Sequence, residues 1–572
     1  LGMLVISLMT QFSWKRENGE FNTQIISSDG IGYYQYLENY FFNGTIRNQE
    51  LNSGFMMPQG DRVVNKYFVG AAVCMAPFYK ISELHSKLLS ETFDPYSPRT
   101  KKWINLGSLF YLFLGCYVIY SWLKLQRIDE SAIFWSVLSV VLGSNLFLYS
   151  VLSPSMTHVY SFFAVAGFIY FTAEFVSSSR TKSLFTACLL FGLIVIIRPI
   201  NGVVVLMFPF LAGGITSLLA VLRRIKLNTY IICLLLFILP LLLQFYLWYL
   251  QTGEWFVWSY GKEGFNWLNP QIIEVLFGFR KGWFVYTPLA LLALFGMVVV
   301  FKQSRFKFFS LTLLLCLIVY IVSSWWNWYY GSSFGQRAFV DFYAIVAFLL
   351  ALLLHQLKRR KLVIITLKVF IVGLIGLNLF QSFQYKENII SSWDMTYNKY
   401  KLTFGVSAPN QVKIGGSREI LPHKAQKELL LDTVLSLGNE NQDKIEEVQR
   451  YFKYSQKEYG VSVNHKLQTC SKLSRGYYLE LEINRLEIDL NSSENAKMIV
   501  ELKNDEGGNE YYSWFFINEV PSKVAGEWMN YNYQLHLPKC NSDNNQLIVY
   551  IRNEDKANFL ISRFKLRLFN LY

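Results

Sequence analysis

YFVGAAVCMAPFY, residues 67–79, is an apolar run of thirteen residues, and whether it crosses a bilayer decides the fold. A helix rises about 1.5 Å per residue, so this run covers about 20 Å of a hydrocarbon core about 30 Å thick. It is therefore expected to be re-entrant or interfacial, leaving the chain from 14 to 102 on one side of the membrane. Had it crossed, Asp29 would face the opposite compartment.

Outward from that run, apolar stretches long enough to span occur at 103–123, 131–151, 157–176, 183–199, 200–221, 229–250, 283–301, 307–326, 338–355 and 362–381. The chain opens Leu-Gly-Met in a stub too short to span, read as the tail of a first helix rather than a signal peptide. About eleven transmembrane helices are predicted. Composition agrees: 16% of the 572 residues are charged, against about a quarter in soluble proteins. The net charge of +14 sits largely in short loops between apolar runs, where it sets topology and meets anionic head groups. Nucleic-acid binding is therefore not expected. Alternate loops, KLQR (124–127), SRTK (179–182), RRIK (223–226), KQSRFK (302–307) and LKRRK (357–361), are all basic and belong in the cytoplasm. The complementary segments then face outward: 14–102, SPSMTH (153–158), Arg198-Pro199, 251–282, WNWYYGSSFGQR (326–337) and the C-terminal region.

The predicted organisation is a transmembrane domain over 1–400, a linker with a helical segment over 401–460, and an extracytoplasmic domain over 461–572. A helix is read at 424–457. Period-two alternation in YYLELEI (477–483), KMIVELK (497–503), YNYQLHL (531–537), QLIVYIR (546–552) and FKLRLF (564–569) predicts antiparallel strands in a β-sandwich or jelly roll. Five of seven cysteines stand singly in apolar segments as small hydrophobes. Cys470 and Cys540 would be able to form a disulfide if their domain lies outside the cytosol.

Asp29, in SSDGIGYYQYL (27–37), is the leading candidate for chemistry. Flanking glycines let backbone approach a ligand, and Tyr33 and Tyr34 begin an interfacial segment. A turn or cap Asp is the plainer reading of this stretch alone. The cations Lys66, Arg198, Arg280, Lys281 and Arg337, however, stand outside against the topological bias. Snorkelling anchors are their plain alternative. Taken together, one carboxylate and several cations suit transfer of a group off a phosphate, with Asp29 taking the acceptor proton and the cations stabilising the leaving phosphate. His158, Glu263, Tyr329 and Tyr330 are further candidates for the substrate pocket. Glu254 and Glu263 are weaker acids that a divalent metal would be able to use, but no spacing defines a metal site and no cofactor is assigned.

In arrangement, residues 1–400 resemble GT-C type membrane glycosyltransferases, in particular the bacterial family resembling protein O-mannosyltransferases and the lipid A aminoarabinose transferase. That resemblance implies that Asp29, in the first outer loop, is the catalytic base; the family's acidic pair is here Asp29-Gly30. It implies that Lys66, in NKYFVGAAVCMAPFY, approaches the donor phosphate, and that Arg198-Pro199 is the basic turn closing the fifth span. FRKGWFVYTPLALLAL and WWNWYYGSSFGQRAFVDFYA resemble recurring segments of bacterial members, pointing to Arg280 and Arg337. The implied activity is inverting transfer of a hexosyl or mannosyl-type sugar from a polyprenyl-phosphate donor to a glycan, lipid or protein acceptor outside a bacterial inner membrane. A lipid-linked oligosaccharide polymerase, a flippase and a non-catalytic glycan-binding membrane protein remain the alternatives.

Overall fold

The structure, a computed structural model, describes residues 2–14, 25–44, 55–261, 263–387, 389–392, 395–407, 427–435, 451–454, 457–467, 476–488, 496–504, 508–517, 526–537, 545–554 and 556–571. It forms two compact units, Leu1–Lys386 and Glu387–Tyr572.

The first unit is helical, and the protein is a membrane protein. Among the described residues, six helices are long and apolar enough to cross: Pro98–Leu125, His158–Ser178, Leu227–Thr252, Arg305–Ser324, Arg337–Leu357 and Lys361–Lys386. The expected count was about eleven: the stub and run 183–199 form helices of 11 and 17 residues, below spanning length, and three further runs are broken. Run 131–151 divides into Glu130–Leu142 and Leu146–Val151 around Gly143. Run 200–221 bends by 106° between Pro199–Ala212 and Ile215–Arg224, where Gly213 takes a left-handed φ of 80°. Run 283–301 becomes three short helices, the second opening at Pro288. Hydropathy reports which residues avoid water; helix continuity also needs a backbone that Gly and Pro interrupt.

Residues 67–79 feed the helix Gly70–Leu88, whose second half carries Lys80, Glu83 and Lys87 and which is not among the six. Its first turn is set by a close helix approach. A Cβ on Gly70 would stand 2.5 Å from the Ile197 backbone nitrogen, so only glycine lets this helix meet the end of Thr181–Ile197. Arg198 follows directly. The helix Arg337–Leu357 is the most enclosed of the six, with 89% of its apolar window buried, so the residues at its start are fixed from all sides.

The second unit is two antiparallel sheets over one core. Tyr459–Lys466, Gln546–Asn553, Ala496–Lys503 and Asn509–Phe516 lie in that order in one sheet. Lys427–Leu435, Phe559–Leu571, Gly476–Glu487 and Trp528–Leu537 form the other, and Phe452–Tyr454 adds to Phe559–Leu571. All five alternating segments read from the sequence are strands. The helix expected over 424–457 is corrected: its described residues 427–435 and 452–454 are strands, both paired with Phe559–Leu571. KELLLDTVL has no strong local bias, and cross-strand pairing outweighs helix propensity there. Cys470 and Cys540 lie outside the described residues.

Candidate functional site

Asp29 is the first residue of the helix Asp29–Leu37, and Ser28 before it is held at φ 53°, ψ −139°. Such a conformation in a non-glycine residue costs about 1–3 kcal/mol and persists only where surroundings impose it. Two glycines seat this helix. A Cβ on Gly30 would lie 2.0 Å from Ser155 Oγ, and one on Gly32 would lie 2.4 Å from the Tyr67 ring. Gly30→Ala is therefore expected to destabilise by about 1–3 kcal/mol through overpacking. Thermal unfolding in detergent measures this, with Gly264→Ala, where an added Cβ meets nothing within 4 Å, as the neutral control.

The Asp29 carboxylate is paired with Arg337, from a position 308 residues away, through Arg337 Nη2 and Asp29 Oδ2. The Asp29 side chain is 26% exposed and that of Arg337 9%, so the pair is largely enclosed and opens to the outside on the carboxylate side. Burial by itself would raise the Asp29 carboxyl. Arg337, a hydrogen bond from Tyr67 and the charge of Lys66 outweigh it and hold the group below its ordinary value. Tyr33 lies with its ring 4.4 Å from that of Tyr67. Burial, and then the Asp29 charge, push the Tyr33 phenol well above its usual value, keeping it a hydrogen-bond donor.

Lys66 ends a hairpin of Met56–Gln59 and Arg62–Asn65. Two glutamines at the end of the Leu227–Thr252 span hold the strap that follows. Gln251 Oε1 accepts from the Asn65 backbone N–H at 2.8 Å, and Gln244 Oε1 from that of Val69 at 2.8 Å. Asn65 Nδ2 donates to the Gly32 carbonyl at 2.7 Å, tying the strap to the Asp29 helix. From there Lys66 Nζ reaches Glu263 Oε1 at 3.0 Å.

Arg198 and Asn201 are brought together by the 3-10 helix Pro199–Leu206, and both face Asp341 in the 3-10 turn Arg337–Phe342. Arg198 Nη1 is 3.2 Å and Asn201 Nδ2 2.6 Å from Asp341 Oδ2; His158 Nδ1 is 2.9 Å from Oδ1. Tyr330, at a left-handed φ of 55°, lays its ring 5.6 Å from the Arg198 guanidinium. Burial pushes its phenol up to about 12.

Tyr33, Lys66, His158, Arg198 and Tyr330 thus stand within charge or contact range of the Asp29–Arg337 pair, and Glu263 joins them through Lys66. Tyr34 points elsewhere, its hydroxyl donating to the Pro95 carbonyl at 2.6 Å. Arg280 lies 3.4 Å from the Tyr329 ring centroid, and Lys281 is buried, its ammonium donating to the Ser333 carbonyl. Sequence reasoning missed Asp341, Asn201, Tyr67, Gln244 and Gln251. Asp341 and the glutamines carried a readable signal: polar side chains inside or at the mouth of an apolar span need partners. Among the described residues, no three His, Cys, Asp or Glu side chains group as a metal site.

No family model and no curated protein matches the sequence. Among solved structures, the chain is similar to the Archaeoglobus fulgidus oligosaccharyltransferase in its apo form, at 11% identity and a TM-score of 0.38, covering 69% of this chain and 56% of that one. It is also similar to the archaeal oligosaccharyltransferase AglB from Archaeoglobus fulgidus in complex with an inhibitory peptide and a dolichol-phosphate (11%, TM-score 0.37, 70% of this chain and 57% of that one). A third is the arabinosyltransferase EmbB from Mycobacterium smegmatis, at 12% identity and a TM-score of 0.32, covering 100% of this chain and 67% of that one. The chain spans little more than half the length of the first two. Likeness at these scores carries no argument about chemistry, which rests on the residues above.

Proposed function

We propose that this protein is a membrane glycosyltransferase of the GT-C kind, moving a sugar from a polyprenyl-phosphate donor to an acceptor hydroxyl. The observation that carries this reading is the pairing of Asp29 with Arg337, with Lys66 and Arg198 close enough to interact with the pair or its surroundings. One carboxylate beside several cations supplies a base and an anion site in the same cleft. Arg198 and Tyr330 border a small, mostly apolar pocket that Ile200, Val203, Ile318 and Val322 also line.

In the reaction, the acceptor oxygen forms a bond to the anomeric carbon while the bond from that carbon to the phosphate oxygen breaks. The electron pair leaves on polyprenyl phosphate, and the acceptor proton goes to Asp29. Each of the three cations rests on a carboxylate: Arg337 on Asp29, Lys66 on Glu263, Arg198 on Asp341. A donor phosphate that draws Arg337 away would raise the Asp29 carboxyl and strengthen it as a base at the moment it is needed. His158 and Arg337 open helices that run toward the basic loops at 179–182 and 357–361, and Arg198 closes a helix that starts at the first of these. The site therefore belongs on the non-cytoplasmic side, the periplasmic face of a bacterial inner membrane. Counted as one span, the bent pair brings the spans among the described residues to seven.

Reconstituted protein supplied with polyprenyl-phosphate hexoses is expected to release polyprenyl phosphate as sugar is transferred. Release from lipid-pyrophosphate donors alone would overturn the reading in favour of a polymerase. The pH profile adds a sign. With Asp29 held low in the free protein, kcat/KM should show no acid limb from this group above about pH 4, near the ordinary carboxylate value. Once phosphate has taken Arg337, the limb in kcat should lie higher. Coincident limbs in both profiles would refute the exchange of partners.

A further inference from the structure

We propose that Asp341 is a positioning residue for the donor phosphate: a buried counter-charge that aims Arg198, together with His158, into the cleft. The inference rests on the phosphate-binding reading above. Asp341 is fully buried, whereas the Arg198 side chain keeps 15% exposure. The carboxylate therefore lies behind the guanidinium, out of reach of a ligand entering from the cleft. Its two oxygens receive groups from three separate places in the chain: Arg198 and Asn201 on one, His158 on the other. Asn201 is itself fixed, donating to Ser161 Oγ at 2.7 Å.

Stability is a poor explanation for this arrangement. Taking an ionised pair out of water costs about as much as the attraction returns, and apolar packing often serves equally well. Direction is the better one. A guanidinium has five N–H donors in a rigid fork, and one carboxylate oxygen engages only part of it. Held at Nη1 by a carboxylate with no exposure of its own, Arg198 keeps part of its fork on the exposed side, where the phosphate of a lipid carrier would bind. Arg337 serves the opposite need: its partner Asp29 is partly exposed and exchangeable, whereas Asp341 is not. The site then has one fixed cation for binding and one that changes partner during the reaction.

The test uses polyprenyl phosphate, without sugar, titrated against the full-length protein in detergent and followed by its protection against thermal unfolding. Arg198→Ala and Asp341→Asn are each expected to weaken binding about 10–100-fold, as when the partner behind a metal-ligating side chain is removed. The double variant should bind no more weakly than Arg198→Ala alone, because Asp341 acts through Arg198. Asn201→Ala, a milder change, should weaken binding in the same direction and serves where Asp341→Asn does not fold. Wild-type affinity in Asp341→Asn, or in Asn201→Ala where that variant stands in, overturns the proposal. So does a loss that adds to that of Arg198→Ala, which would mark a general structural role. Failure of the wild-type protein to bind polyprenyl phosphate would instead refute the phosphate site itself, and Asp341's role with it.

Discussion

Asp29→Asn is expected to lower kcat about 10³-fold or more while leaving polyprenyl phosphate bound as tightly as in wild type, or tighter. The amide keeps the size of the carboxylate but takes no proton at neutral pH, and positioned bases typically contribute about 10²–10⁴-fold. Loss of the base alone would stop there. The pairing with Arg337 adds the second half of the prediction, because the phosphate no longer competes with a carboxylate for that guanidinium. Turnover and affinity should therefore move in opposite directions. The measurements are single-turnover transfer and phosphate titration on the same preparation. Wild-type turnover in the variant removes Asp29 from catalysis, and a parallel loss of phosphate binding recasts it as a structural residue.

Arg337→Gln carries the next largest effect, on two observables. Removing a donor aimed at developing charge costs about 10²–10³-fold in rate, so kcat/KM should fall by that order. The variant also leaves Asp29 largely enclosed without its main partner. Breaking a fully buried pair costs about 3–5 kcal/mol. With a quarter of the Asp29 side chain exposed, about 1–3 kcal/mol is the expected loss here. Combining Asp29→Asn with Arg337→Gln should restore most of that stability and none of the activity. A double variant as unstable as Arg337→Gln would show that the guanidinium is held for packing, as its contact with Met156 Sδ at 3.8 Å would then suggest.

Asp29 stood out as a carboxylate between glycines, and Lys66, Arg198 and Arg337 because the loop charges placed these cations on the side that the topological bias leaves poor in them. Their partners did not. Asp341 sits four positions after Arg337, inside what reads as the start of a span, and nothing local says that it turns toward Arg198 and His158. Gln244 and Gln251 look like isolated polar residues in LLLQFYLWYLQT until their amide oxygens are seen taking the backbone N–H groups of the Lys66 strap.

The sequence by itself determined what each segment can tolerate: which residues leave water and which alternate along strands. Those are properties of single residues and near neighbours, summed along a window. Helix continuity through Gly143, Gly213 and Pro288 was settled by the folded backbone, as was the strand at 427–435 by its pairing with Phe559–Leu571. The matching of cations to carboxylates was likewise tertiary. Coulomb and hydrogen-bond energies depend on distance in space, and Asp29 and Arg337 become neighbours only once the intervening helices have packed.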